Sequence, residues 1–198
     1  MSENKKAENG TVSILIVGVG GQGTLLASKI LGRILVGRGY DVKVSELHGM
    51  SQRGGSVTTY VKYGKKVFSP VIEAGEADYI VSFEKLEAAR WAHCLKKGGK
   101  IITNTQQIDP MPVTSGAAVY PADILEKLKG DGLDIDAFDA LSPAVAAGSA
   151  KAVNIVLMGR LARYLGIERE VWTDTIKESV APKFTDINLR AFDAGYSL

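Results

Sequence analysis

The sequence predicts a single α/β domain whose sheet is mostly parallel, with helices on both faces and a helical C-terminal third. Three observations carry this. The β-branched and leucine run Ser13–Val17 ends in glycines and gives way to a helical pattern. Apolar runs of strand length then alternate with helical stretches as far as about Ala140. From Ser142 onward the chain reads as helix, rich in small residues.

Taken in order, Ser13–Val17 is a strand buried on both faces, since it carries no polar alternation beyond Ser13. A helix follows from Gly23 to about Gly37, with Leu26, Ile30 and Ile34 at i+4 spacing and Leu31 and Leu35 beside them. Gly37 and Gly39 close it, and Asp41–Leu47 is a second strand with Val42 and Val44 on one face. Val57, Thr59, Val61 and Tyr63 alternate along Ser56–Tyr63 as in a half-buried strand, and Gly64-Lys65-Lys66 predicts an antiparallel hairpin turn into Val67-Phe68. Ala77–Phe83 is a strand, Glu84–Leu95 a helix and Lys100–Asn104 a strand. Pro110 and Pro112 break regular structure between Gln106 and Tyr120, and Pro121 suits the first turn of a helix over Ala122–Lys129. Asp134–Ala140 is one more short strand. Leu157, Leu161 and Leu165 mark a helix ending at Gly166, and Val171–Ser179 and Phe184–Ala194 are two more, separated by Pro182.

The composition narrows the function classes. At roughly 100–200 residues per domain, 198 residues form one domain, and no linker divides it. Residues 1–11 read as a disordered polar tail ahead of a single domain over 12–198. A net charge of +2 argues against a nucleic-acid or membrane-surface role. Neither a membrane span nor a signal segment is visible, which suggests the cytoplasm. The one cysteine, Cys94, permits no internal disulfide, no four-thiolate iron–sulfur cluster and no cysteine-based structural zinc site. It is expected to be a small packed residue, with His93 near a helix C-terminus; no metal site is expected.

Gly18-Val19-Gly20-Gly21-Gln22-Gly23 is a full G-x-G-x-x-G between strand and helix, and it makes the sheet Rossmann-like. Its glycines permit a tight turn, and the helix N-terminus offers unpaired N–H groups to an anion. Equally, they can serve only close packing. Glu46, 23 residues after Gly23, stands where an acid would hold a ribose hydroxyl. Ser51, Gln52, Arg53, Gly54 and Gly55 follow the second strand, so they belong at the same carboxyl edge of the sheet. There Arg53 can grip a phosphate or carboxylate, or stand as a solvated loop arginine. His48 can act as acid or base beside the glycine loop, although no spacing assigns it a partner. Gly130-Asp131-Gly132 with Asn154 imitates a thiamine-diphosphate signature. It follows an amphipathic helix instead of a buried strand, so it reads as a helix-ending turn.

Several segments together resemble one family: Gly18–Gly23, Ser45–Val57, Ser69-Pro70, Gly75–Asp78, and Asn188, Ala191, Phe192 and Gly195 near the end. It is the gamma subunit or domain of the 2-oxoacid:ferredoxin oxidoreductases, nearest to the indolepyruvate branch. The resemblance covers nearly the whole chain after the tail. It implies a complex that oxidatively decarboxylates an arylpyruvate with coenzyme A and passes electrons to ferredoxin. Thiamine diphosphate, magnesium and the iron–sulfur clusters are then expected on a large alpha subunit, and none of them on this chain alone. It also discounts Glu46 as a ribose ligand, because these enzymes use ferredoxin in place of a nicotinamide. Two readings stand: a subunit inactive without its large partner, and a stand-alone NAD- or FAD-binding protein. Self-association of the isolated chain is left open by the Ala- and Gly-rich stretch Ala144–Ala152.

Overall fold

The computed structural model describes residues 7, 10–48 and 54–198. Among the described residues six strands form one sheet: β1 (Thr11–Val19), β2 (Asp41–His48), β3 (Ser56–Gly64), β4 (Ala77–Ser82), β5 (Leu95–Asn104) and β6 (Asp134–Phe138). Their order is β2-β3-β1-β4-β5-β6. β1–β4, β4–β5 and β5–β6 pair parallel, while β3 runs antiparallel to both β1 and β2. The sheet is therefore mostly parallel, with β3 as the single reversed strand.

Among the described residues the helices are α1 (Thr24–Gly37), α2 (Lys85–Trp91), α3 (Met111–Thr114), α4 (Ile124–Gly130), α5 (Leu141–Ala146), α6 (Val153–Leu165), α7 (Arg169–Ser179) and α8 (Thr185–Ser197). β1 alternates its apolar side chains between two cores. Val12, Ile14 and Ile16 join the core under α1 and the C-terminal helices, where Leu31, Leu157 and Phe192 are fully buried. Leu15 and Val17 face a smaller core with Ile80, Ala88, Cys94 and Ile101. Helices on both faces thus follow from a β1 that has no polar face.

Three expectations are corrected. Val67-Phe68 forms no strand and Phe68 is exposed, so the sheet's antiparallel hairpin is formed by β2 and β3 and not by a turn at Gly64. The reason is topological: β3 already has β1 on one edge and β2 on the other, so no edge remains for a following strand. β3 is also buried on both faces and not half-buried, because a core packs on each side of the sheet, with Tyr60 in the smaller one and Val61 and Tyr63 in the larger. Pro121 lies ahead of α4, whose N-cap is Asp123 at φ 55. The expected tail falls mostly outside the described residues, and Thr11 is already the first residue of β1, opposite Gly64.

The C-terminal helices approach unusually closely. A Cβ on Gly159 of α6 would lie 2.2 Å from the Phe192 carbonyl oxygen, and one on Gly195 of α8 would lie 1.9 Å from that of Val156. Backbone contact between α6 and α8 therefore requires glycine on both sides.

Candidate functional site

The glycine turn between β1 and α1 sits at the carboxyl edge of the sheet, and its own side chains hold it. Gln22 turns its amide inward: Oε1 accepts from the Val19 N–H at 2.7 Å, and Nε2 donates to the Phe83 carbonyl at 3.1 Å. This fastens the end of β1 to the end of β4. A Cβ on Gly18 would lie 2.9 Å from that Gln22 oxygen, so Gly18 is required for packing. Gly20 donates its N–H to the Gly55 carbonyl at 2.8 Å, and Gly54 returns a bond to the Gly20 carbonyl at 3.4 Å. The two glycine segments, far apart in the sequence, are thus joined beyond the ends of β1 and β3.

Gly23 caps α1 from the left-handed region at φ 86, with no side-chain cap and no acid in the first turn. A Cβ there would meet Asn154 Nδ2 at 2.5 Å. Asn154 lies at the start of α6, is buried, and donates to the Gly23 carbonyl at 3.2 Å. Its other amide atom accepts from the Ile155 N–H at 2.8 Å. Asn154 is therefore a brace on the turn and stands apart from Gly130–Gly132, which ends α4 with Gly132 at φ 81. The helix-ending reading of that triplet holds.

Two clefts flank the turn. One, of about 390 Å³, is lined by Gly20, Gly21, Gly23 and Thr24 on one side and by Glu46, His48 and Val57 on the other. The second, of about 200 Å³, is lined by Gly21, Gln22, Gln106, Ile108 and Lys151. Gly21, at φ 102, is the point where the turn is open: a Cβ there would have no neighbour within 4 Å. Glu46 shares the first cleft, but β3 separates β2 from β1, so its strand runs two strand spacings, about 10 Å, from β1. Its Oε2 accepts from Thr59 Oγ1 at 3.3 Å. A ribose acid belongs on the strand next to β1, and the inserted β3 removes that geometry. His48 is exposed at the end of β2, opposite Val57. Ser51, Gln52 and Arg53 lie outside the described residues; Gly54 is at φ 75.

Beside the turn, Glu84 organises a cluster that the sequence reading misses. It caps α2, with Oε2 accepting from Leu86 N–H at 2.7 Å and Glu87 N–H at 3.0 Å. Oε1 accepts from Ile108 N–H and from the Tyr120 hydroxyl, which fastens the 105–120 segment to α2. Burial first, then the Glu84 carboxylate, hold the Tyr120 hydroxyl far above its ordinary pKa. Glu87, also buried, accepts from the Ser56 hydroxyl at 2.5 Å, and burial raises its pKa. Asn104 at the end of β5 donates to the Phe83 carbonyl and to Gln106, and accepts from the Ala140 N–H at 3.1 Å. The place of Glu84 just ahead of a helix is the one signal that points to it; its long-range partners leave none locally.

Cys94 is buried, and burial raises its thiol pKa, as suits a packed residue. His93 Nδ1 is 3.0 Å from the Arg90 carbonyl at the end of α2. No group of three or more metal-ligating side chains is clustered among the described residues.

A Rossmann-like turn braced from within, at the edge of a sheet with one reversed strand, defines a Rossmann-like α/β domain. Comparison with known proteins narrows this class. The chain belongs to the pyruvate ferredoxin/flavodoxin oxidoreductase family, whose sequence profile matches residues 13–198. It is 44% identical to the indolepyruvate oxidoreductase subunit IorB of Thermococcus kodakarensis, over 92% of this chain and 93% of that one. The IorB subunit of Archaeoglobus fulgidus is 39% identical, with 94% of each chain covered. Among solved structures, pyruvate oxidoreductase subunit PORC of Thermotoga maritima shares the fold at a TM-score of 0.73 and 21% identity, covering 94% of this chain and 96% of that one. The 2-oxoglutarate:ferredoxin oxidoreductase of Magnetococcus marinus contains the same fold at a TM-score of 0.65 and 16% identity. There 94% of this chain corresponds to only 30% of that one.

Proposed function

We propose that the chain is the small subunit of an indolepyruvate-type 2-oxoacid:ferredoxin oxidoreductase, inactive without a large partner subunit. The complex oxidatively decarboxylates an arylpyruvate to an acyl-coenzyme A and delivers the electrons to ferredoxin. The observation that carries this reading is the end-to-end similarity to IorB, 44% identity over 92% of the chain. Thiamine diphosphate, magnesium and the iron–sulfur clusters belong to the partner in this reading. A cluster normally takes four thiolates, and this sequence has one cysteine. No helix among the described residues is long and apolar enough to cross a membrane, and the cytoplasm is the proposed location.

The glycine turn, with Gly54, Gly55 and Arg53, is proposed to face the shared active-site region and to shape the path of the acyl group or coenzyme A. The two backbone bonds between Gly20 and Gly54-Gly55 support this, because they bring both glycine segments to one carboxyl edge. The competing reading, a stand-alone NAD- or FAD-binding protein, is weakened by the β3 insertion that displaces Glu46 from the turn. Calorimetry of the isolated chain separates the two. Absence of micromolar NAD or FAD binding is expected, and such binding would sink the subunit reading.

A further inference from the structure

Helix α1 is apolar on two faces. Ile30, Leu31, Ile34 and Leu35 bury its inner side, yet Leu25 and Val36 on its outer side stand 65% and 61% exposed. A helix covered on one side alone turns polar outward. Leu25, Lys29, Gly32 and Val36 are four, three and four residues apart, the spacing of a seam between two helices. Val44 of β2, also exposed, continues this surface, and a Cβ on Gly32 would lie 3.8 Å from its side chain. Together these residues form an open groove of about 740 Å³. β2 is the outermost strand of the sheet, so among the described residues no further strand lies beside it.

The charge on this groove has one sign. Lys29 and Arg33, a turn apart, both line it, and no acid does. α1 itself contains no acidic residue. Lys29 has no ion pair among the described residues. Arg33 donates to the Glu178 carbonyl at 3.3 Å and to Ser179 Oγ at 3.1 Å, which hold its guanidinium in place without neutralising it. Like charges at i,i+4 on a helix oppose each other, and an acid from outside relieves both. A two-fold dimer through this groove would bring two more cations and no acid into one seam, so charge opposes that pairing.

The groove is also continuous with the candidate site. Leu25 at one end of it lines the 390 Å³ cleft at the glycine turn as well. The seam therefore runs into the edge of the sheet that is proposed above to face the shared active-site region.

We propose that this groove seats an acidic amphipathic helix of the large partner subunit. Its apolar stripe lies on Leu25, Val36 and Val44, and its acidic flank on Lys29 and Arg33. The assignment rests on the subunit reading above, and the test separates the two. The large subunit is co-expressed with the full chain or its variants, and affinity is read from dissociation of the purified complex on dilution, at low and at high salt. Lys29→Glu and Val36→Glu, both at exposed positions, should each weaken the complex at least roughly tenfold. Lys29→Glu should also flatten its salt dependence. Lys97→Glu, an equal charge change on an exposed lysine of β5, should leave affinity unchanged. Each variant chain alone should keep the parent's melting curve, and amide exchange along α1 and β2 should slow when the complex forms. A complex that forms and turns over, with both groove variants at parental affinity, would overturn the groove and leave the subunit reading standing. An equal loss with Lys97→Glu would do the same. A dimer of the isolated chain that Val36→Glu dissolves would assign the groove to a second copy and likewise overturn the proposal. No complex under any condition would remove the subunit reading and the groove together.

Discussion

Single residues at the carboxyl edge of the sheet do unequal work. Gln22 looks in sequence like one more member of an anion-facing loop, yet its amide joins two backbone segments and faces inward. Asn154 looks like half of a cofactor signature and instead braces Gly23 across 131 positions of chain. Neither role is legible locally, because both depend on a partner brought close only by the fold. Glu87 permits a sharper statement. Its carboxyl is buried and its pKa is raised, chiefly by loss of solvation, against a smaller opposing contribution from the Ser56 hydroxyl. A carboxyl that keeps its proton longer folded than unfolded favours the fold at low pH. That advantage is lost as pH climbs through the ordinary carboxylate range and past the raised value. Glu87→Gln preserves an acceptor for Ser56 and removes the ionisation. Urea unfolding should show the variant gaining stability relative to the parent as pH rises from about 4, the ordinary Glu range, to neutrality. A constant difference across that range would mean that Glu87 ionises as freely in the fold as outside it.

At the scale of elements, what is legible in the sequence is what is locally punctuated. β1, the glycine turn, α1 and β2 lie within a residue or two of expectation, because glycines bracket each element and the apolar spacing changes from strand to helix. β5 begins at Leu95, five residues before the expected Lys100, and contains Gly98 at φ 78; an irregular strand start carries no periodic signal. The pairing of β3 is illegible for a different reason. Whether a strand following a long loop inserts beside β1 or hairpins forward is decided by which edges are free, and that is a property of the assembled sheet. The α6–α8 contact belongs to this scale too. Gly195 stands out in the sequence only as part of a family pattern, while its packing partner Gly159 carries no signal. Gly195→Ala would drive a methyl group into the Val156 carbonyl. It should cost at least about 1–3 kcal/mol, the usual range for overpacking, read as a drop in thermal midpoint. An unchanged midpoint would show that the two helices can separate freely.

For the whole molecule, the proposed role as one part of a larger enzyme rests on the end-to-end similarity to IorB subunits. The fold forms 30% of a longer chain in the Magnetococcus marinus enzyme and nearly all of the PORC subunit, so it serves both as a fused domain and as a separate subunit. Arg53→Ala in the reconstituted complex should lower turnover without changing the melting temperature of this chain, since Arg53 neighbours the glycine pair bonded to the turn. Unchanged kinetics would reduce Arg53 to a surface residue. The central claim is dependence on a partner, and reconstitution tests it most directly. The chain and a co-expressed large subunit are assayed separately and together for coenzyme A-dependent reduction of a viologen dye by indolepyruvate. Activity that appears only when both are present, and rises with added chain to a fixed stoichiometry, is the expected result. Full activity of the large subunit without this chain, or no activity in any combination and with any 2-oxoacid, would contradict it.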